Sequence, residues 1–296
     1  WTLSLSWIIL VTSLMESDEL HLPSGNFLQC VCLLSAFLLG LALGGSRRRR
    51  LSAFAGPVLV DAEANVSPGL LQQALSFVPF QDWLRKLQRH RDSFRLQRVT
   101  VQSVDMFGKK VGFVKLKSEV YDRDGDPLAG ICFLRGGSVA VLVILESDSG
   151  KEYCLQVRID NVCTVQPQFM ALPAGMLDGN GDFGGAMARE MEEETGIRCD
   201  AKNLLDMTAL VYGEEFEGMY PSVGACDEFI RLFLFRRKMR QEEILSLEGK
   251  LMGLREENEK IKLCLVPLAD LWHLSPDAKG LCALLLYSKL KEAGRL

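Results

Sequence analysis

The chain has 296 residues, 48% hydrophobic and 24% charged, which is a globular composition with room for one large domain or two small ones. Its formal net charge is −4, and the basic run at 47–50 is one local cluster, so the balance gives no sign of a nucleic-acid partner. Nine scattered cysteines without a C-x-x-C pair, and only three histidines, argue against a zinc site or a disulfide framework and suit reduced thiols.

Near the front, residues 27–45 (FLQCVCLLSAFLLGLALGG) are apolar and uncharged, at the lower edge of the length that spans a bilayer, and SRRRR follows. A targeting segment is the favoured reading, because no element precedes the stretch to pack against it. A retained membrane anchor and a buried core helix are the alternatives, and membrane contact is expected only if residues 27–45 are kept. Residues 52–57, SAFAGP, resemble the junction of signal and transit segments in proteins sent to plastids of secondary endosymbiotic origin. That resemblance implies a plastid location and a mature chain beginning near Phe54; the alternative is a small-residue linker. Residues 1–57 are therefore taken as a targeting region.

Residues 58–98 form a helical lead-in. Leu71, Ala74, Leu75 and Phe77 share a face, Pro79 marks a break, and Trp83, Leu84 and Leu87 belong to a second helix. From 99 to 135 the period changes to that of strands: VTVQSVDMF and VGFVKLKSEVY flank a Gly-Lys turn, and Asp124-Gly125 marks another. Residues 136–296 begin with the continuous apolar strand SVAVLVILES and the strand YCLQVRI. Then come an acidic helix over 184–195 and strands at Thr208–Tyr212 and Phe229–Phe235 around a long loop. A helix over Gln241–Glu257, a strand over Lys260–Val266 and an amphipathic helix over Asp277–Ala293 complete the chain. The sum is an α+β sandwich with a mixed sheet and helices on its faces, preceded by a small antiparallel β region.

The stretch AREMEEETGI places four glutamates within residues 190–194. On a helix, Glu190, Glu193 and Glu194 share a face and repel one another by a few tenths of a kcal/mol per pair, roughly. Taken alone, this is either a solvated acidic face or a cradle for a cation. The wider window decides the reading. Gly175, Arg189, Glu190, Met191, Glu193, Glu194, Gly196 and Ile197 fall in register with the signature G-x5-E-x7-R-E-U-x-E-E-x-G-U (U apolar). The sequence thus resembles the Nudix hydrolases. It departs at the first glutamate of the signature, where Gly181 stands between Asp178 and Asp182.

The resemblance implies a Nudix α/β/α sandwich and a Mg²⁺ or Mn²⁺ site held by Glu190, Glu193, Glu194 and the carbonyl of Ala174. Arg189 would orient the glutamates and Gly175 would adjoin the substrate. Glu228 would be the general base, with Asp227 as the alternative. Carboxylate oxygens are hard donors suited to such ions. The segments VDMFGKKVGF, LQVR, LPAGMLD, GDF, YPSVGACDE, GLRE and LVPLADLW extend the likeness over roughly 68–296, toward the plant plastid ADP-sugar diphosphatases. That branch implies a nucleotide-sugar substrate (ADP-glucose or ADP-ribose), substrate contacts from Gln156 and Arg158, and a homodimer built through residues 99–135. Leu155 stands where the branch commonly has Glu in Glu-Gln-x-Arg. The competing reading is a catalytically silent nucleotide-binding module on the same fold.

Overall fold

The computed structural model describes residues 51–55, 58–177, 182–253 and 260–296. The apolar stretch 27–45, the arginine run, Asp178, Gly181 and Leu254 lie outside them. Among the described residues no helix is long and apolar enough to cross a membrane.

The first part of the fold is a sheet with two helices. Its elements are β1 (Leu51–Ala55), β2 (Val58–Ala62), α1 (Pro68–Ser76), α2 (Val78–Arg89), β3 (Arg95–Phe107), β4 (Lys110–Tyr121), β5 (Pro127–Leu128) and β6 (Ile131–Leu134). The strand order is β1-β2-β3-β4-β5, with β6 also on β4. The expected hairpin is present: Phe107 pairs with Lys110 across Gly108-Lys109, and Gly108 supplies a positive φ of 59°. The sheet is not purely antiparallel, because β2 and β3 run parallel. A parallel pair needs a long crossover, and α1 and α2 provide it. The expected cleavage point near Phe54 falls inside β1, which pairs with β2 along its whole length.

The helix break comes at Phe77 rather than at Pro79. Phe77 is extended (ψ 125°) between the two helices, and Pro79 occupies the first turn of α2, where no backbone N–H is required. Leu71, Ala74, Phe80 and Leu84 close over Val60, Val99, Val101, Leu116 and Leu134 to form the core of this part.

The second part comprises β7 (Ser138–Ser147), β8 (Glu152–Asn161), β9 (Gln166–Ala171), β10 (Ala174–Met176), α3 (Phe183–Thr195), β11 (Leu205–Asp206), α4 (Met207–Tyr212), β12 (Ile230–Met239), α5 (Gln241–Leu245), β13 (Leu251–Met252), β14 (Ile261–Pro267), α6 (Leu271–Leu274) and α7 (Ala278–Glu292). The order is β11-β12-β7-β8-β14-β13, with β10 on β7 and β9 on β8. Only the β7–β12 pairing is parallel among the named strands of this sheet, which makes it mixed as expected. Val139, Val141, Val143 and Leu145 face α3 through Met187 and Met191. Ala140, Leu142 and Ile144 face the other way, toward Ala283, Leu286 and Leu290 of α7. Burial on both faces explains the uninterrupted apolar run of β7, and the result is the expected α/β/α sandwich.

Two expectations fail here. Thr208–Tyr212 is helical, not a strand: the Asp206 side chain caps α4 by accepting the Ala209 N–H at 2.8 Å, and the Thr208 hydroxyl oxygen accepts the Leu232 N–H at 2.8 Å. The helix expected over 241–257 is only the short α5. Gly249 turns with φ 75°, its N–H bonds the Leu263 carbonyl, and the chain continues as β13 against β14.

Candidate active site

Helix α3 is fixed at both ends by its own sequence. The Asp182 side chain accepts the Gly185 N–H at 2.9 Å, and Gly196 ends the helix in the left-handed conformation with φ 71°. Ala186, Met187 and Met191 face the sheet. Their burial sets the rotation of the helix and so determines where the glutamates go.

Glu190 and Glu194 are half-buried and reach adjacent residues of β10. The Glu190 carboxyl lies over Gly175, where an added β-carbon would be 1.9 Å from its Cδ. Glu194 Oε2 accepts the Ala174 N–H at 3.0 Å. Glu193 is exposed on the adjoining flank, and Arg189 is exposed on the same helix. Glu192 is exposed and pairs with Arg198 at 2.6 Å.

β10 pairs with the start of β7, Gly175 opposite Val139 and Met176 opposite Ser138. On the far side of β7, Ile230 also stands opposite Ser138. Glu228, two residues before Ile230, is therefore delivered to the same end of the sheet. Its Oε1 is 3.2 Å from the Arg135 guanidinium and 3.3 Å from Ser138 Oγ, which donates to it. Asp227 is engaged differently. Its Oδ1 accepts the N–H groups of Arg135 at 2.8 Å and Gly136 at 3.1 Å. Burial pushes its carboxyl above the usual range, and those amide donors oppose the rise. The Asp227 carboxylate is thus tied to the backbone, whereas among the described residues that of Glu228 engages the side chains of Arg135 and Ser138.

Gln156 and Arg158 point to the opposite face from α3. Gln156 is fully buried, its Nε2 3.7 Å from a β-carbon built on Gly280 of α7, and neither amide atom has a hydrogen-bond partner. Arg158 is half-buried, with its Nε also lacking a partner. The structure brings Glu190, Glu194, Gly175, Ala174 and Glu228 to one sheet end, and it does not bring Gln156 to the carboxylates. Sequence reasoning passed over Arg135 and Ser138. Their one signal is a polar residue on either side of Gly136-Gly137, just before an apolar strand.

The donor set fits a hard divalent cation. The carboxylates are oxygen donors, and the bare Cα of Gly175 leaves the space that Glu190 occupies. Among the described residues no three acidic, histidine or cysteine side chains form a group that could hold an ion. Mg²⁺ is characteristically held by one or two carboxylates together with waters and phosphate oxygens, so it does not require such a cage.

The NUDIX domain family profile matches residues 137–284. Nudix hydrolase 14, chloroplastic, of Arabidopsis thaliana is 41% identical over 248 residues, covering 80% of this chain and 79% of that protein. The chain belongs to the Nudix family. Nudix membership makes it a hydrolase of phosphoric anhydrides, and Nudix hydrolases generally use divalent metals such as Mg²⁺. Two solved structures are more distant. A protein titled ADP compounds hydrolase aligns at 16% identity and a TM-score of 0.44, over 69% of this chain and 97% of its own. A Caenorhabditis elegans Ap4A hydrolase aligns at 14% and 0.36, over 53% and 98%. The Nudix match starts at 137, so Arg135 and Gly136, which hold the Asp227–Glu228 pair, lie just outside it.

Proposed function

We propose that this Nudix protein hydrolyses the diphosphate of an ADP-sugar, ADP-glucose or ADP-ribose, to AMP and a sugar phosphate by attack of water on phosphorus. The observation that carries the reading is the convergence of Glu190 and Glu194 on β10 with Glu228 held at the neighbouring Ser138. When bound, Mg²⁺ or Mn²⁺ supplies charge neutralisation at the phosphate oxygens. Glu190, Glu193, Glu194 and the Ala174 carbonyl hold it in this reading, and Arg189 orients the glutamates. Glu228 accepts the proton of the attacking water, which suits a carboxylate engaged by the side chains of Arg135 and Ser138. Gly175 keeps the floor of the site open. Gln156 and Arg158 are assigned to the substrate in this reading, Arg158 to an oxyanion through its guanidinium.

A second copy of the chain completes the reading. Phe107, Phe113 and Phe133 form a file of rings 4.9 Å apart, and Phe107 and Ile131 are more than half exposed. Such a surface within 99–135 suits burial in a homodimer. A plastid location is supported by the chloroplast designation of the Arabidopsis relative.

The test is AMP release by purified protein with Mg²⁺ and a panel of ADP-glucose, ADP-ribose, other nucleotide sugars and dinucleoside polyphosphates. Turnover of one ADP-sugar, abolished by chelation, is the expected result. Turnover confined to dinucleoside polyphosphates, or none in folded protein, would overturn it.

A further inference from the structure

We infer that Lys86, on α2 and outside the region matched to the Nudix domain, is a positioning residue for Glu228. The inference rests on the proposed role of Glu228 as base. Glu228 sits near the end of the segment 213–229 that joins α4 to β12, and this segment is irregular apart from two isolated bridges, Met219–Ile230 and Phe133–Cys226. Lys86 grips it at two places. Its Nζ pairs with the Glu217 carboxylate and also lies 5.5 Å from the ring centroid of Phe229, the residue following Glu228.

The rest of α2 is braced against the same region. Pro79 abuts Gly136, where an added β-carbon would be 2.7 Å from the proline ring; Gly136 has φ 81° and donates its N–H to Asp227. The Phe229 ring covers Gly137, leaving no room for a side chain there, since a β-carbon would be 2.2 Å from Cζ. Helix, Gly136-Gly137 turn and Glu228 segment therefore form one packed unit. Lys86 is the cation that α2 brings to this unit. The Lys86 charge also favours the ionised form of Asp227 against the effect of burial.

The experiment compares Lys86→Met, which keeps the aliphatic stem, with Lys86→Arg, which keeps the charge. Amide hydrogen exchange over residues 213–229 is followed together with ADP-sugar turnover. In Lys86→Met the exchange is expected to quicken at least about fivefold. The kcat is expected to fall about tenfold with KM changed less than about twofold, and Lys86→Arg to recover most of both. Unchanged exchange in Lys86→Met overturns the proposal, as does faster exchange with kcat intact. A raised KM at constant kcat would make Lys86 a substrate contact and likewise overturn it. If wild-type protein turns over no diphosphate, the functional reading fails, while the exchange measurement still decides whether Lys86 orders the Glu228 segment.

Discussion

Glu190 and Gly175 share one small volume: a β-carbon on the glycine would lie 1.9 Å from the glutamate Cδ and 2.0 Å from its Oε1. The signature glycine is thus a packing requirement of the signature glutamate, imposed across the gap between α3 and β10. Gly175→Ala has to displace the Glu190 carboxyl or part the helix from the strand. It is expected to cost about 1–3 kcal/mol of stability and to lower kcat by roughly 100-fold or more, on the scale of losing a preorganised electrostatic group. Thermal unfolding and AMP release measured on the same preparation check both.

Glu194 has a structural and an electrostatic duty that two substitutions separate. Glu194→Gln keeps an oxygen for the Ala174 N–H but loses the charge. It should unfold within a few degrees of wild type while kcat drops by about 100-fold or more. Glu194→Ala also leaves the Ala174 N–H without this acceptor and should cost a further ~1 kcal/mol. Equal activity in wild type and Glu194→Gln would remove Glu194 from the proposed metal site.

Asp227 gives a pH signature. Its folded-state carboxyl is raised above the ordinary 3.8, chiefly by burial. The associated stability is complete below the unfolded value and is lost as pH rises through the folded one. Relative to Asp227→Asn, which does not titrate, wild type should lose stability as pH climbs from about 4. Urea midpoints of the two proteins across pH 3.5–7, which should be parallel only if Asp227 titrates normally, decide it.

The thiols should separate by burial. Cys154 is buried, and that burial, with neighbouring Cys264 and Asp277 adding to it, holds its thiol well above the usual range. Cys163 is exposed between β8 and β9. Iodoacetamide is expected to modify Cys163 in the native protein and to reach Cys154 only after denaturant is added. Peptide mapping over time measures the order.

Much of this architecture could be read from the residues. The run of β7 announces a strand buried on both faces, and Asp182 and Gly196 bracket α3 with ordinary caps. The carboxylates of α3 follow from those boundaries once the methionines define the inner face. What stayed hidden depends on contacts distant in sequence. Thr208–Tyr212 reads locally as a strand, but Asp206 and the neighbouring β12 favour a helical turn. The short strands β9 and β10 carry little pattern of their own and exist because β8 and β7 supply their partners. Arg135 and Ser138 meet Glu228 from about 90 residues away, and no local spacing reveals such a meeting. The full burial of Gln156 beside Gly280 of α7 likewise follows from tertiary packing that its local sequence does not show.

The parallel register of β7 and β12 also bears on how the molecule is made. Ser138 meets Ile230, and Ser147 meets Met239, so the central pairing must wait for ~90 intervening residues to be gathered in. That intervening chain carries Gly175, the α3 glutamates and Glu228. Closing so long a loop is a late and slow event compared with forming the hairpin of β3 and β4. The carboxylate constellation is accordingly expected to come together late in folding, so that during refolding the hydrolytic competence should lag behind the recovery of helix and strand.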